Sequence, residues 1–396
     1  MKIYKVGGAV RDSLLKRRPE DTDWVVVGAN KNHLLEKGFD QVGKDFPVFL
    51  HPKTKEEYAL ARLERKTGKG YLGFETIAHE SVTLEEDLSR RDFTVNAMAS
   101  DESGDIIDPH GGLNDLRKCI LRHVTEAFLE DPLRILRGAR FAAKLNFSIA
   151  DETMAIMTEM VAKDQLAELK EERVWSEFKR AIVTDHPLAF FKVLVECQAL
   201  KKLFPEFKSL FAKLFKEKSH SQDTRILLLL NKKNKLKRDS ELAFAVISRA
   251  LLIHNRKNVE LTISQISTFC DRLKVPKKFK IIAKKASSFT TIKKASKTEL
   301  GSEVIHLLDL LGGFKNGHLF PKLLLLYEIE LETNRDSHTY VSTKELLAVA
   351  NAVNNMNKKD LIQQNPSGNS LAAKLKIRKI ALANNTLTPS PKLHSI

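Results

Sequence analysis

A glycine pair between a strand and a helix, close to the N-terminus, is the feature that most restricts the fold of this chain. Residues 3–6 form a short apolar run typical of a strand, Gly7 and Gly8 follow at once, and AVRDSLL has the composition of a helix start. Such a turn lets backbone N–H groups approach an anion closely, and the N-terminus of a helix favours phosphate. Arg11, in the first turns of the helix, can add a bidentate contact. The segment therefore predicts a phosphate-binding turn that includes Gly8 and Arg11.

Two aspartates precede the next strand-like run, residues 24–27. Because side chains alternate faces along an extended strand, Asp21 and Asp23 point the same way. Two carboxylates on one face repel each other unless cations lie between them, and Mg²⁺ prefers such oxygen ligands. A lone glycine pair is usually only a turn, and a lone Asp-x-Asp is often a solvated strand end. Their combination predicts phosphoryl or nucleotidyl transfer, with Asp21 and Asp23 as catalytic and metal-binding residues.

The charge balance of the chain indicates a polyanionic partner. The net charge is +16 and the pI is near 9.5, which favours nucleic acid, although a chain can also be merely basic. Cys119, Cys197 and Cys270 are widely spaced, which predicts reduced, buried thiols of a cytoplasmic protein. Apolar runs such as residues 226–230 are too short to span a membrane. We expect no membrane association, and no protein partner is evident.

The strand signals lie in the first part of the chain, and the remainder is almost wholly helical in pattern. Residues 64–75 carry glycines and cations without apolar periodicity, which predicts a mobile basic loop. Glu57 could be a third acidic contributor, although a surface carboxylate is the more common origin of such a residue. The strand-like runs are residues 3–6, 24–27, 46–50 and 57–62, and helical spacing recurs in residues 151–163, 173–183, 188–199 and 242–253.

The order of these elements, GGAVRDSLL followed by DTDW, resembles the head-domain motif of the class II tRNA nucleotidyltransferase and poly(A) polymerase family. RRDFTVNAMA, residues 90–99, resembles the motif that the family uses for the ribose of the incoming nucleotide. The resemblance implies that Arg91 binds the triphosphate. It also implies that Asp92 and Asn96, which have suitable acceptors and donors, bind a ribose hydroxyl. A capped helix is the alternative explanation of this segment, and both can hold together.

EDPLRILRGARFAAKL, residues 130–145, predicts a helix with Asp131 as its N-cap and Pro132 in the favoured first position. Three arginines spaced by three residues form one stripe along it: Arg134, Arg137 and Arg140.

By resemblance, Asp131 and Arg134 form the protein template for the incoming base, and Arg137 and Arg140 contact the nucleotide or its phosphates. The physical chemistry agrees, because ionised Asp offers only acceptors and Arg only donors. Cytosine and adenine present an exocyclic amino donor beside a ring-nitrogen acceptor, whereas uracil and guanine present the reverse pattern. The alternative is a surface Asp–Arg pair worth a few tenths of a kcal/mol.

The chain departs from the family in two places. Many members carry an HD phosphohydrolase segment after the neck, but Arg249-Ala250 stand where the metal-binding His-Asp pair is expected. His220 and His254 remain, and two isolated histidines do not make a site. Near the N-terminus, Lys16 replaces a glycine that usually follows Leu-Leu, which can alter a turn but no chemistry.

Basic runs in the second half of the chain predict a surface that follows a phosphate backbone, although such runs are often only solvated faces. They are residues 232–238, 274–285 and 293–297. Residues 368–382 resemble the closing helix of the family, and residues 386–396 have the composition of a loose tail.

We therefore expect an α+β fold, with a polymerase-β-like nucleotidyltransferase head followed by an all-helical neck, body and tail. The expected domains are a catalytic head of residues 1–110, a base-recognising neck of residues 111–183, and a tRNA-binding body and tail of residues 184–396 with a degenerate HD-like region. The resemblance is closest to the proteobacterial CCA-adding enzymes. It implies template-independent addition of CCA to tRNA 3′ ends from CTP and ATP, with two Mg²⁺ ions.

Three alternatives stay open at this point. Two belong to the same family: a poly(A) polymerase, and a partial enzyme that adds only CC or only A. The third is a non-catalytic RNA-binding protein, against which the two retained aspartates argue.

Overall fold

The chain forms two compact units, Met1–Pro205 and Glu206–Ile396. The boundary between them falls inside the predicted body and tail, and the predicted domain limits at residues 110 and 183 stay predictions. The computed structural model describes residues 1–42, 48–66, 68, 74–216, 221–232, 239–294, 299–315, 317–333, 337–357 and 368–387.

A seven-stranded mixed sheet is the centre of the first unit. Its strand order is β3-β4-β5-β2-β1-β8-β9, and the central strand β2 lies antiparallel to β1 and parallel to β5. Two shorter ladders, β6–β7 and β10–β11, complete the strands of the described residues. The strands are β1 (Lys2–Val6), β2 (Asp23–Val27), β3 (Asp40–Val42), β4 (Val48–Leu50), β5 (Glu57–Leu60), β6 (Leu63–Lys66), β7 (Phe74–Ile77), β8 (Ala99–Ser100), β9 (Ile106–Ile107), β10 (Ile120–Leu121) and β11 (Ser148–Ile149).

Helices make up the rest of the first unit, where α5 packs on both α7 and α8. They are α1 (Gly8–Leu14), α2 (Lys31–Glu36), α3 (Leu84–Ser89), α4 (Gly112–Lys118), α5 (Leu133–Leu145), α6 (Asp151–Ala162), α7 (Glu171–Ala181), α8 (Pro187–Glu196) and α9 (Leu200–Leu203).

The second unit is helical throughout its described residues, with α12 packed on α11 and α14. Its helices are α10 (Lys208–Lys216), α11 (Gln222–Lys232), α12 (Ser240–His254), α13 (Val259–Arg272), α14 (Lys277–Ala286), α15 (Leu300–Leu311), α16 (Leu319–Glu332), α17 (Thr343–Asn354) and α18 (Gly368–Thr386). None of the described helices is both long enough and apolar enough to cross a membrane. The expected α+β class, with a sheet-bearing head and helices beyond it, is therefore confirmed.

The side chains of β2 alternate between two apolar clusters. Val25 packs with Val6 and Leu88 on one face of the sheet, and Val26 packs with the aromatic residues of the other face. Trp24 lies on that second face, where its ring stacks on Tyr58 at 5.4 Å between centroids. Asp23 therefore lies on the opposite face from Trp24, as the alternation along the strand predicts.

The prediction of a basic loop over residues 64–75 is wrong at both ends. β6 and β7 form an antiparallel ladder, in which Lys66 pairs with Phe74, and residues 67 and 69–73 between them lie outside the described residues. Pairing of this kind depends on backbone hydrogen bonds between strands, so a segment without apolar periodicity can still form it.

Two smaller predictions also need correction. α5 begins at Leu133, one residue later than expected, although the Asp131 carboxylate still accepts a hydrogen bond from the Leu133 N–H at 3.0 Å. Cys119, which follows the last residue of α4, is exposed rather than buried, whereas Cys197 and Cys270 are buried. The helical patterns predicted between residues 151 and 253 correspond to α6, α7, α8 and α12. The predicted tail, beyond residue 387, and most of the run 232–238 lie outside the described residues.

Lys16, in the place of the expected glycine, adopts a φ of 56° in the left-handed region. Its N–H donates to the Ser13 carbonyl at 3.0 Å, and the Arg17 N–H donates to the Asp12 carbonyl at 2.8 Å. This pair of bonds is the Schellman arrangement that commonly ends a helix, and glycine is the residue best suited to it. The turn is therefore retained without its glycine, at a cost in backbone strain.

We predict that Lys16→Gly stabilises the first unit by about 0.5–1 kcal/mol. Left-handed backbone costs a side-chain-bearing residue about 1–2 kcal/mol, and the greater freedom of glycine in the unfolded chain offsets part of the gain. The midpoint of urea unfolding measures the effect. Lys192→Gly, an exposed position within α8, is the matched control and should destabilise by about 1 kcal/mol. A loss of stability in both variants would contradict the strain at Lys16.

Candidate active site

Asp21 and Asp23 line a cavity of the first unit, at the start of β2. Asp23 lies in register with Val6 of β1 and with Glu57 of β5. Burial raises the pKa of the Asp23 carboxyl, the Arg91 guanidinium opposes this shift, and the charge of Asp21 adds to it. Neither aspartate side chain forms a hydrogen bond or an ion pair within the described ranges of the chain. The pair is thus an acidic centre whose charge the protein balances only in part.

The glycine pair brings an arginine close to this centre. Gly7 has a φ of 69°, which glycine adopts without strain, and its N–H donates to the Met98 carbonyl at 3.0 Å. A Cβ atom at Gly7 would lie 2.8 Å from Nη1 of Arg91. The missing side chain therefore leaves room for the Arg91 guanidinium to lie against the turn.

A buried chain of polar contacts runs from α1 to α5. Asn96 accepts a hydrogen bond from Arg11 Nη1 and donates one to Asp92 Oδ1 at 3.0 Å. Asp92 Oδ2 pairs with Arg137 Nη2 at 2.6 Å. Burial alone would raise the pKa of Asp92, but the Arg137 charge and the hydrogen bonds from Asn96 and Arg137 lower it to about 2. Asp92 is therefore ionised at neutral pH and holds Arg137 at the edge of the cavity.

The predicted base-reading pair lies at the start of α5. Asp131 Oδ2 lies 3.4 Å from Nη2 of Arg173 on α7. Arg134 donates from Nη2 to the Arg90 carbonyl at 2.6 Å and from Nη1 to the Arg91 carbonyl at 3.4 Å. Both side chains are thus anchored by the protein on one side and border the cavity on the other.

Arg140 is held on two sides one turn beyond Arg137. Its Nε donates to Glu177 Oε2 at 2.5 Å, and its guanidinium carbon lies 4.3 Å from the centre of the Phe141 ring. Burial lowers the pKa of Arg140, while the Glu177 carboxylate opposes the shift. An arginine keeps its proton under any such shift, so Arg140 presents a fixed positive charge.

These elements enclose one cavity of about 620 Å³, within the about 300–1,000 Å³ typical of small-molecule sites. It is lined by every site residue predicted from the sequence: Gly8, Arg11, Asp21, Asp23, Arg91, Asp92, Asn96, Asp131, Arg134, Arg137 and Arg140. Other polar residues at its wall include Glu57, Arg62, Arg90, Lys144, Arg173 and Arg180.

Several supporting residues were missed from the sequence. Asp87 pairs with both Arg90 and Arg91, and Glu177 pairs with Arg140. The spacing of Asp87 to the two arginines, three and four residues along a helix, is a signal that could have identified that pair. Glu177 lies 37 residues from Arg140 and gives no such local signal.

The region predicted to be a degenerate HD site lies in the second unit. Arg249 is only 1% exposed, and its Nε donates to Glu330 Oε2 at 2.6 Å. Both ring nitrogens of His254 are engaged, Nδ1 with Asp223 Oδ2 and Nε2 with Ser209 Oγ, each at 3.0 Å. His220 lies outside the described residues. The described part of the chain holds no group of three His, Cys, Asp or Glu side chains suited to a metal ion.

Comparisons with known proteins show which family this chain resembles. Residues 3–122 match the family described as the poly A polymerase head domain, and residues 146–211 match a probable RNA- and SrmB-binding site of polymerase A. A "Multifunctional CCA protein" of Nitrosococcus oceani is 39% identical over 394 residues, covering 96% of this chain and 97% of that protein.

Two solved structures have a fold similar to that of this chain. A tRNA nucleotidyltransferase complexed with a primer tRNA and an incoming ATP analogue has a TM-score of 0.59 and 27% identity, covering 85% of this chain and 93% of its own. The fold is also that of a Bacillus stearothermophilus CCA-adding enzyme in complex with CTP, with a TM-score of 0.60, 22% identity, and coverage of 98% and 90%. The head-domain match and the identity with the Nitrosococcus protein over nearly all of both chains show that this chain belongs to the class II tRNA nucleotidyltransferase and poly(A) polymerase family, as a CCA-adding enzyme.

Proposed function

We propose that this enzyme completes or repairs tRNA 3′ ends by adding C, C and A from CTP and ATP, without a nucleic acid template, in the cavity of the first unit. The observation that carries the proposal is the convergence of two unpaired aspartates, a cluster of arginines and the Asp131–Arg134 pair on that one cavity. The aspartates supply a centre for cations, the arginines bind polyphosphate, and the last pair can read a base.

Asp21 and Asp23 fit Mg²⁺ by their chemistry. Neither carboxylate is neutralised by an ion pair in the described part of the chain. A bound cation would oppose both the burial and the Asp21 charge that raise the pKa of Asp23. Mg²⁺ is commonly held by one or two carboxylates together with substrate phosphates, so a third protein carboxylate is not required. When bound, two such ions would lower the pKa of an attacking hydroxyl and neutralise charge on the triphosphate.

The arginines orient the nucleotide. Arg91, which lies against the Gly7 turn, and Arg11 face the cavity from the side of the sheet. Arg137, fixed by the buried Asp92, and Arg140, fixed by Glu177, face it from α5. Guanidinium groups held by carboxylates lose little freedom when they bind a phosphate, because their rotamers are already fixed. The triphosphate is therefore bound between two walls that do not need to reorganise.

The reaction is an in-line displacement. The 3′-hydroxyl oxygen of the tRNA attacks the α-phosphorus, its proton is lost, and the bond to the leaving pyrophosphate breaks. The chain itself forms no covalent bond to the substrate. Its part is to orient the reactants and to stabilise the charge on the phosphates as pyrophosphate leaves.

Base selection follows from the donor and acceptor pattern at α5. The Asp131 carboxylate can accept a hydrogen bond from the exocyclic amino group of cytosine or adenine, and Arg134 can donate to the neighbouring ring nitrogen. Uracil and guanine would leave buried groups mispaired, at about 1–3 kcal/mol for each group. The same pair therefore accepts CTP and ATP and rejects UTP and GTP.

The second unit is proposed to bind the tRNA, through cations of the basic runs. Lys277 and Lys284 of α14 form no ion pair with another described residue. Lysines without a carboxylate partner are the ones available to replace the counterions of a phosphate backbone. Because tRNA is the substrate, we place the enzyme in the cytoplasm.

The function is tested by incubating the protein with tRNA that ends before CCA, together with CTP, ATP and Mg²⁺, and by sequencing the product ends. We expect complete CCA ends. Ends in CC, in A alone or in a poly(A) tract would favour the corresponding alternative enzyme.

Asp21→Ala and Asp23→Ala should each lower the rate by about 100-fold or more, since a metal-binding carboxylate is worth several kcal/mol, while tRNA binding persists. Asp40→Ala, an exposed aspartate of β3, is the matched control. Near-normal turnover in either variant would rule out the metal assignment.

Base selection gives a second prediction. Asp131→Ala should reduce incorporation of CTP and ATP and raise the relative incorporation of UTP and GTP by about 10- to 100-fold, the equivalent of about 1–3 kcal/mol. Asp131→Asn separates two roles, because its amide oxygen can still cap the Leu133 N–H while its charge is lost. We expect both variants to lose selectivity. If Asp131→Asn keeps wild-type selectivity, Asp131 acts as a helix cap rather than as a base reader.

The third prediction is that the HD-like region has no hydrolytic activity. Arg249 stands in the place of a metal-binding histidine. It cannot lose its proton, and its guanidinium is held in an ion pair with Glu330. Purified protein should hydrolyse neither phosphate monoesters nor 2′,3′-cyclic phosphodiesters in the presence of Mg²⁺, Mn²⁺, Ni²⁺ or Co²⁺, while the same preparation adds CCA. Hydrolysis that survives Asp21→Ala and disappears in His220→Ala or His254→Ala would reveal a second active site.

A further inference from the structure

Asp87 is a fully buried carboxylate between two arginines. It lies on α3 with no exposed surface, and its Oδ1 atom is 2.7 Å from Nη2 of Arg90. Its Oδ2 atom is 3.1 Å from Nη2 of Arg91. Two adjacent guanidinium groups repel each other, and the charge of Asp87 is what keeps both at the same place. Burial alone would raise the pKa of Asp87, but the charges of Arg91 and Arg90 lower it, so the group is ionised at neutral pH.

The same carboxylate fixes the residue that precedes the β6–β7 ladder. The backbone N–H of Arg62 donates to Asp87 Oδ1 at 3.3 Å. Arg90 completes the connection, since its Nε donates to the Arg62 carbonyl at 3.1 Å. Both polar groups of the Arg62 backbone are therefore tied to the Asp87–Arg90 pair.

The backbone of the two arginines supports the base-reading helix. The carbonyls of Arg90 and Arg91 accept the hydrogen bonds of the Arg134 guanidinium, at 2.6 and 3.4 Å. The side chain of Arg91 faces the cavity beside Gly7. The Arg90-Arg91 dipeptide therefore has two roles. The Arg91 side chain is proposed to bind phosphate, and the two carbonyls hold Arg134, which is proposed to read the base.

We propose that Asp87 is a positioning residue for nucleotide transfer, which fixes the distance between the phosphate-binding Arg91 and the base-reading Arg134. This inference rests on the proposed function. Asp87 is too deeply buried to touch a nucleotide, so it acts through the Arg90-Arg91 dipeptide. A change at Asp87 displaces Arg91 directly and Arg134 through the carbonyls. Loss of this one charge therefore weakens phosphate binding and base selection together.

The test is Asp87→Asn, a substitution of the same shape without the charge. Equilibrium binding of tripolyphosphate probes the phosphate contacts alone, and binding of CTP and UTP probes the base as well. We expect the affinities for tripolyphosphate and for CTP to fall by about 10- to 100-fold, the effect of a displacement of about 1 Å, and the preference for CTP over UTP to fall about tenfold. Transfer to tRNA should show the same loss of preference.

Glu206→Gln is the matched control. Glu206 is a buried carboxylate of the second unit, paired with Arg272 at 2.8 Å, and it does not line the cavity. Its substitution should lower the thermal midpoint, as Asp87→Asn does, and leave all three affinities unchanged. If Asp87→Asn does not fold, Asp87→Glu keeps the charge but moves it by one methylene group, and the CTP preference must still fall.

Wild-type affinities and preference in the Asp87 variant, or equal losses in Glu206→Gln, would overturn the inference and leave the proposed function intact. A wild-type protein that binds CTP but transfers no nucleotide would contradict the proposed reaction, and the affinities would still decide the role of Asp87. A wild-type protein that binds neither tripolyphosphate nor CTP would overturn both.

Discussion

The ion pair between the buried Asp92 and the half-exposed Arg137 is the contact on which the candidate site depends. It joins groups 45 residues apart, at 2.6 Å, and so connects the segment after α3 with the middle of α5. Removing Arg137 would leave the buried charge of Asp92 without its principal cationic partner, which destabilises the site. The position of α5 is therefore not free, and Arg134, one turn earlier, is carried to the carbonyls of Arg90 and Arg91. The segment proposed to bind phosphate and the helix proposed to read the base are thus joined by direct contacts.

The net charge of this protein differs from the positive charge that is free to bind a polyanion. The cavity of the first unit concentrates arginines whose carboxylate partners hold them in place and leave part of each guanidinium facing the cavity. In α14 the lysine run is partly neutralised, since Lys278 pairs with Glu241 at 2.9 Å and Lys280 pairs with Asp271 at 2.5 Å. Each pair has one exposed partner, Lys278 in the first and Asp271 in the second, so solvent and a polyanion can compete for these contacts. The net charge of +16 counts paired and unpaired lysines alike, so it does not by itself give the charge that a tRNA meets.

Local signals explain most of what could be predicted from the sequence. The strands, the glycine turn and the Asp-x-Asp motif can each be recognised from a few neighbouring residues. The order of these motifs identified the residues that line the cavity. The partners of those residues could not be predicted, because Arg140–Glu177 and Arg137–Asp92 join segments far apart in the chain. The β6–β7 ladder was missed for a different reason: its strands are close in the chain, but cross-strand backbone bonds leave no apolar pattern. At Lys16 the structure forms a turn that the sequence does not signal. The left-handed turn at the end of α1 is present although the glycine expected there is replaced by lysine.

Arg249 shows how one buried cation can join several helices of the second unit. Its guanidinium bonds to Glu330 of α16, to the Ala286 carbonyl at the end of α14 and to the Phe289 carbonyl just beyond it. The C-terminal end of a helix carries partial negative charge, so it stabilises a buried cation. The group also lies 4.1 Å from the centre of the Phe289 ring. These contacts of one positive charge join α12, α14 and α16, and the charge would oppose the entry of a metal ion.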